Sequence, residues 1–477
     1  MNKNVFTYLL KSKKILVVFL FIMNLALMLT PYISSMRTGN YYVSWIIGYV
    51  FMFGTCYILP PYLLRFIQSK KATDSYFSLP VSRRELLNTN LLFSALVSYC
   101  PFLVGAVISG IIGLAGGHIE ITELFRILFC GLLTVAVLTL VNSLFFSFAN
   151  TLFDGMVMIA AYTAMPLMIY IVLGVFFETH VAGMSYWSSL LDGVRYLSPA
   201  FLCGNIVGGG SKRIVYYIVL AVYAVIAYVL LSREVVDRKA ERAEQISDHF
   251  FAYPFVIYFY AFAILCMITF FWGNRNFISF FKDSIIYYIL LLFIFTVANF
   301  VYRRKIRFEP KTFVFFAISI ILSLLVGLAA NKTQGFGLSR MYDHNPKSVS
   351  YVYNGPLSKE DCEELEIKSE YVSVFVELQI PERLMNEPQY SEAMKIMENS
   401  REKAIEDYYT KSDQDRTNTG YLSIRDNFTG EGNYVHYDDS GQYGYTVYEP
   451  LSIDQLRVLS KITQVSIYTD DKELILP

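Results

Sequence analysis

A chain of 477 residues that is 55% hydrophobic and only 17% charged, with a mean hydropathy of +0.41, is too apolar for an ordinary soluble enzyme, a disordered protein or a collagen-like fibre. Its forty basic and forty acidic residues cancel, but unevenly: residues 1–334 carry 26 Lys/Arg against 14 Asp/Glu, and residues 335–477 carry 14 against 26. Such a split points to two surroundings, a membrane for the first part and water for an acidic tail.

The N-terminal stretch puts Lys11, Lys13 and Lys14 before an apolar run from Ile15 to about Ile33. The run is longer than a signal-peptide core and lacks a small-x-small cleavage site, so it reads as an uncleaved first span. A spanning helix takes about 20 apolar residues. Nine segments qualify: 15–33, 43–64, 91–117, 127–149, 155–177, 214–232, 253–272, 284–302 and 312–330, none with an Asp, Glu, Lys or Arg. With a cytoplasmic N-terminus, the inside segments 1–14, 65–90, 150–154, 233–252 and 303–311 carry 18 Lys/Arg. The outside connections 34–42, 118–126, 178–213 and 273–283 carry 7. The positive-inside rule favours this orientation. Nine spans then leave the tail outside the cell, and one span more or fewer would return it to the cytoplasm.

Pro60, Pro61, Pro101 and Pro166 lie in spans and are expected to be structural kinks. Asn24, Asn142 and Asn299 are expected to hydrogen-bond between helices. Spans without charge hold no proton relay, so any transport would draw its energy from elsewhere. Cys56, Cys100, Cys130 and Cys266 fall inside apolar runs. A disulfide would have to join Cys203 and Cys362, which the pattern does not favour.

Between spans two and three, SKKATDSYFSLPVSRRELLNTN (69–90) is too polar to enter lipid. The fixed φ of Pro80 suits the first turn of a helix. A short amphipathic helix is therefore expected from Pro80, with Val81, Leu86 and Leu87 on its apolar face and Arg83, Arg84 and Glu85 in charged contacts. A basic helix lying on a membrane surface has the same pattern. The Gly cluster GGGSKR (208–213) is not a P-loop, because no G-x-x-x-x-G-K-[ST] is present.

Residues 331–347 read as a polar linker. Beyond it, 351–354, 371–380, 421–424, 443–448 and 464–469 are expected strands, rich in β-branched and aromatic residues. Residues 391–409 and 452–462 are expected helices, the second with Ser452 as N-cap. A hairpin is expected from Tyr434 to Tyr448. The run EDCEELE (360–366) reads as a solvated face and Asp438-Asp439 as a turn. His344 and His436 stand in no catalytic motif. About 130 residues suffice for one α+β domain.

TDSYFSLPVSRRELL resembles the first cytoplasmic loop of type-2 ABC transporter permeases. Asp74, Leu79, Pro80, Ser82, Arg83 and Leu86 match that loop's acidic residue and its Leu-Pro-x-Ser-Arg-x-x-Leu core. The resemblance implies a coupling helix, Arg84 and Glu85 included, that docks on an ATPase subunit. Arg238-KAERAEQ is similar to the stretch that ends the family's six-span core, which implies a second cytoplasmic contact through Arg238, Glu241, Arg242 and Glu244. Tyr196-Leu197-Ser198-Pro199 and the elbow-like NVFTYLLKSKK also resemble that family, whereas Asn90 stands where it often has Lys.

The resemblance covers residues 1–250. Three extra spans (251–330) and the tail (331–477) resemble a Gram-positive branch with an appended extracytoplasmic domain. The expectation is a polytopic α-helical membrane protein of about nine spans with a soluble α+β domain at its C-terminus. It would be a cell-membrane exporter subunit for an amphipathic or hydrophobic substrate, not itself an enzyme, with no cofactor or metal of its own. ATP and Mg would sit on separate ATPase subunits. A second permease chain, identical or homologous, and membrane lipid are the other expected partners, and nucleic acid is not. The alternative is a membrane receptor or assembly factor whose tail binds a ligand; an intramembrane enzyme lacks any His/Asp/Glu constellation in the spans.

Overall fold

The computed structural model describes residues 3–38, 42–115, 119–184, 192–207, 214–247, 249–271, 277–304, 306, 310–340, 348–367, 371–379, 387–410, 419–425, 442–447, 449–469 and 473–476. Thirteen helices come first: α1 Lys3–Ser12, α2 Lys14–Thr38, α3 Tyr42–Leu64, α4 Lys70–Phe77, α5 Arg83–Ala115, α6 Ile121–Ser147, α7 Leu152–His180, α8 Asp192–Arg195, α9 Pro199–Val207, α10 Ile214–Val236, α11 Tyr253–Phe271, α12 Phe277–Arg303 and α13 Pro310–Lys332. The tail adds β1 Ser348–Pro356, α14 Lys359–Glu364, β2 Tyr371–Gln379, α15 Pro388–Thr410, β3 Thr419–Arg425, β4 Gln442–Val447, α16 Ile453–Ser460, β5 Val465–Tyr468 and β6 Glu473–Leu476.

Eight helices among the described residues are long and apolar enough to cross a membrane. The first expected span corresponds to α2, which with α1 makes a pair bent by 71°. Such a set of helices is that of a multi-pass helical membrane protein. The chain divides into two compact units. Unit 1 is Met1–Leu167, Gly193–Phe259 and Asn299–Ile306; unit 2 is Met168–Asp192, Tyr260–Ala298 and Arg307–Pro477.

Unit 1 packs α2, α3, α5, α6, α9 and α10 around Met52, Phe102, Val137, Leu138 and Leu220, all buried. Small residues let α2 approach its neighbours: a Cβ on Gly48 would lie 2.2 Å from Cγ of Met28, and one on Gly105 would lie 2.6 Å from its Sδ. Two of the three polar span residues work as expected. Asn24 donates Nδ2–H to the Gly48 carbonyl at 3.3 Å, and Asn142 does so to the Cys56 carbonyl at 2.9 Å. Asn299 is buried as well. The Tyr49 hydroxyl donates to the Cys203 carbonyl at 2.7 Å, tying α3 to α9. Cys203 is thus buried despite its place outside the apolar runs, and all six cysteines are free.

Unit 2 joins α11, α12 and α13 through Thr269, whose hydroxyl meets Tyr288 Oη and Ser323 Oγ, each at 3.0 Å. Its tail is one antiparallel sheet in the order β4-β3-β1-β2-β5-β6. Val349, Tyr351 and Tyr353 of β1 and Val372, Val374 and Val376 of β2 alternate onto one face. There they meet Met397 and Ile405 of α15 and Leu456 and Leu459 of α16. The Ser452 cap is present as a full capping box with Gln455.

Three tail expectations change. β6 was not anticipated, because four residues are too few to show alternation. EDCEELE is not merely a solvated face: Lys359–Glu364 is a helix, capped by the Ser358 hydroxyl on the Asp361 N–H, and it buries Cys362. The hairpin's first arm, with His436 and Asp438-Asp439, lies outside the described residues, as does His344; its second arm is β4, whose described partner is β3.

The segment read as a linker is ordered up to Arg340, and 341–347 lie outside the described residues. α13 runs on to Lys332, and Gln334, Gly335, Phe336 and Gly337 then take positive φ before a 3-10 turn at Leu338–Arg340. Gly335 is needed there, since a Cβ would lie 2.9 Å from Cγ2 of Val181. The Tyr445 hydroxyl donates to the Ser339 carbonyl at 3.2 Å, while Tyr408 and Tyr409 donate to the carbonyls of Thr179 and His180, each at 2.8 Å.

Candidate functional site

One end of unit 1 gathers the two segments singled out in the sequence. After α3, a 3-10 turn at Arg65–Gln68 carries Gln68, whose Nε2 donates to the Phe146 carbonyl at 3.1 Å. The Thr73 hydroxyl donates back to the Phe66 carbonyl at 2.7 Å, and the rings of Phe66 and Tyr76 stack with centroids 4.6 Å apart. These contacts fold α4 against the end of α3.

Pro80 does not open a helix, contrary to the expectation. The short helix is α4, which ends at Phe77 before the proline; Leu79, Pro80 and Val81 form a turn in which the Val81 N–H reaches the Leu79 carbonyl at 2.7 Å. The long α5 begins at Arg83, and the Ser82 hydroxyl accepts the Glu85 N–H at 3.2 Å. An N-cap side chain satisfies a donor that the first turn leaves free, which Pro80 cannot do. The signal was legible as Ser82-x-x-Glu85, the spacing of a capping box. Leu86 and Leu87 are buried, but as part of α5.

Two arginines close helix ends. The Arg83 guanidinium donates to the carbonyls of Val236 at 2.9 Å and Arg238 at 2.7 Å, and lies 4.1 Å from the Phe77 ring centroid. Val236 is the last residue of α10. Arg238, 2% exposed, donates to the carbonyls of Ser147 at 2.7 Å and Ala149 at 2.9 Å, and to Oδ1 of Asn150 at 2.7 Å. Ser147 is the last residue of α6. Each cation thus meets carbonyls that have no partner within their helix and sits at the negative end of its dipole. Burial pushes the Arg238 guanidinium down to about 10, Glu234 opposing and Arg242 reinforcing, so it stays positive at neutral pH.

The two segments touch directly. The Lys70 N–H donates to Oε1 of Glu244 at 3.2 Å, and the Glu244 N–H donates to the Asn150 carbonyl at 2.9 Å, with Glu244 at φ +65°. Ser247 Oγ donates to the Phe148 carbonyl at 2.7 Å, and Tyr302 Oη donates to the Ser247 carbonyl at 3.1 Å. Beside them lies a cavity of about 230 Å³ lined by Asn150, Glu234, Arg242, Gln245, His249 and Phe250 among others.

The predicted residues therefore sort into two groups. Arg83 and Arg238 turn inward and hold helix ends, and Leu86 is buried in the core of unit 1. Asp74, Leu79, Pro80, Ser82, Arg84 and Glu85 are exposed, as are Glu241, Arg242 and Glu244. Gln68, Lys70, Phe77 and Asn150 join this end without having been anticipated; only Asn150, a lone polar residue just beyond span four, carried a signal. Asn90 is buried and donates to the Leu86 carbonyl at 2.8 Å. A second cavity of unit 1, about 180 Å³, is lined by Tyr57, Asn142, Tyr162, Leu197, Ser198 and Pro199 among others, and so includes part of the Tyr-Leu-Ser-Pro stretch. The Gly cluster at 208–213 lies outside the described residues. Among the described residues, no group of three His, Cys, Asp or Glu is close enough to hold a metal ion.

Compared with protein-family models, curated proteins and solved structures, the chain finds no match in any of the three.

Proposed function

We propose that the chain is the permease subunit of an ATP-driven ABC exporter, docking cytoplasmic ATPase subunits through the charged end of unit 1. The observation that carries this reading is the meeting of residues 70–86 and 236–247 on one exposed face, braced from behind by Arg83 and Arg238. A partner pressing on Asp74, Leu79, Arg84 or Glu241 would push at once on α4 and on the ends of α5, α6 and α10. ATP and Mg belong to the partner. The partner's closure can bias the permease only by its differential affinity for two permease states. A second copy or homologue of the chain would complete the pathway.

The orientation has support from the contacts as well as from charge. Segments 65–90, 150–154 and 233–252, all assigned to the cytoplasm, contribute to one connected end, and Tyr302, the last residue of the span before 303–311, joins it. Nine spans from a cytoplasmic N-terminus leave the tail extracytoplasmic, where it captures substrate or covers the outer mouth.

The test is purification of the tagged full chain from its native membrane in mild detergent. A stoichiometric companion carrying a P-loop, lost in Arg84→Glu combined with Leu79→Asp, is the expected result. Both positions are exposed, so the fold is not at stake. Absence of any ATPase would turn the reading to a receptor or assembly factor whose tail binds a ligand.

A further inference from the structure

Among the described residues, helices cover one of the two faces of the tail sheet. Four large apolar side chains in the described strands of the tail are more than a third exposed: Tyr371 (54%), Phe375 (39%), Tyr468 (45%) and Ile475 (55%). All four lie on the uncovered face. In β2 the covered face takes Val372, Val374 and Val376, which leaves Tyr371, Phe375 and Glu377 on the other. In the pairing of β2 with β5 and β6, Ser373 lies opposite Tyr468, and Phe375 lies opposite Ser466, which in turn lies opposite Ile475. Directly opposed and diagonal neighbours on one face are about 5 to 8 Å apart. Tyr371, Tyr468, Phe375 and Ile475 therefore form one continuous stripe across three strands.

Soluble domains that gather their exposed apolar groups in one patch use it for binding. Charge selects the occupant. Residues 335–477 carry 26 Asp/Glu against 14 Lys/Arg, a field that concentrates cations. The exposed Glu377 flanks the stripe on β2.

We propose that this face binds a cationic amphipathic peptide, its apolar side on the Tyr371–Tyr468–Phe375–Ile475 stripe and its basic residues toward the acidic surround. That the peptide is also the exporter's cargo rests on the permease reading; its docking does not.

The test uses the full chain in phosphatidylcholine nanodiscs, with empty discs subtracted. The probe is a fluorescent helix-forming peptide of Lys and Leu; a Glu/Leu peptide of the same pattern, a Lys/Ser peptide and a soluble chito-oligosaccharide are the comparisons. The Lys/Leu peptide is expected to bind saturably, more weakly at 0.5 M than at 0.05 M salt, and to lose at least about tenfold in affinity in Phe375→Ser combined with Tyr468→Ser, the loss typical of paired aromatic anchors. Restoring aromaticity with Phe375→Tyr and Tyr468→Phe is expected to recover it, which separates lost contact from lost fold. Equal binding by the Ser variant, equal binding of the Glu/Leu peptide, preference for the oligosaccharide, or a Phe375-dependent association of two chains would each overturn the proposal. Loss of the ATPase companion would refute the permease reading and leave this result standing.

Discussion

The helices of unit 1 and the tail of unit 2 solve opposite problems with the same twenty side chains. On the helices the outward positions are apolar: Ile15, Ile214 and Val225 are more than three-fifths exposed. Their interior hides Asn24, Ser94, Ser98, Thr134 and Asn142, each at most 2% exposed. In the tail the inward positions are apolar, with Tyr351, Val376 and Ile467 fully buried, and charges cover most of the outside. The inversion follows from solvent. Lipid gives no hydrophobic drive between helices, so small residues and hydrogen bonds do the packing; water drives the tail's valines together. Departures from each rule mark the candidate surfaces, a charged end on unit 1 and an apolar stripe on the tail.

Two substitutions test the inversion most strongly. Val376→Asp places a charge with no partner in the tail core and is expected to cost more than about 4 kcal/mol. Limited proteolysis of membranes would then release tail fragments while the spans remain protected. Ile286→Asp is the counter-test: Ile286 is 70% exposed on α12, so water would make the change harmless, whereas a bilayer makes it cost roughly 2.5 to 3.5 kcal/mol. Reduced insertion, read by glycosylation mapping, is expected there. Ile475→Asp on the tail, at 55% exposure, is expected to stay within about 0.5 kcal/mol of the parent. Equal behaviour of the two isoleucines would collapse the distinction.

The sequence displayed the helices and most strands plainly, because a charge-free run of some twenty residues has one stable form in lipid and β-branched alternation marks a half-buried strand. What it concealed lay at ends and joints. Pro80 satisfies a helix start and a turn equally well, and the choice went to Ser82 because its hydroxyl meets the Glu85 N–H. Arg83 and Arg238 were singled out as contacts for a partner, yet both hold the carbonyl ends of α10 and α6. Which carbonyl an arginine reaches depends on where another helix stops, and that is tertiary information. The ordered turns after α13 had a visible cue in Gly335 and Gly337, but the need for Gly335 comes from Val181, more than a hundred residues away.

Arg238 sharpens the comparison from the charged end. Arg238→Met keeps the buried volume and removes three hydrogen-bond donations; charge-assisted bonds contribute roughly 1.5 to 3 kcal/mol each, with part of the loss recovered by relaxation. A lower thermal midpoint of the detergent-solubilised chain is expected, with the tail's proteolytic resistance unchanged. Arg238→Lys is expected to rescue only in part, because an ammonium cannot span three acceptors arranged for a planar fork.

The smallest expected effect comes from one capping device used in both regions. In the tail, Ser452 Oγ accepts the Gln455 N–H at 3.4 Å and Gln455 Oε1 accepts the Ser452 N–H at 3.0 Å. On the helical side, Ser82 Oγ accepts the Glu85 N–H at 3.2 Å. Replacing either serine by Ala removes a cap worth about 1 kcal/mol, but the consequences differ. α16 has eight residues, few enough for its amides to open locally; Ser452→Ala is expected to speed exchange at Leu456 by about fivefold. α5 has thirty-three residues, most of them in a medium where an opened amide finds no water. Ser82→Ala should therefore fray the first turn around Arg84 and Glu85 and leave exchange from Leu91 onward unaltered. Comparable acceleration deep in α5 would mean that this helix is sheltered by packing rather than by lipid, and the contrast between the two regions would lose its physical basis.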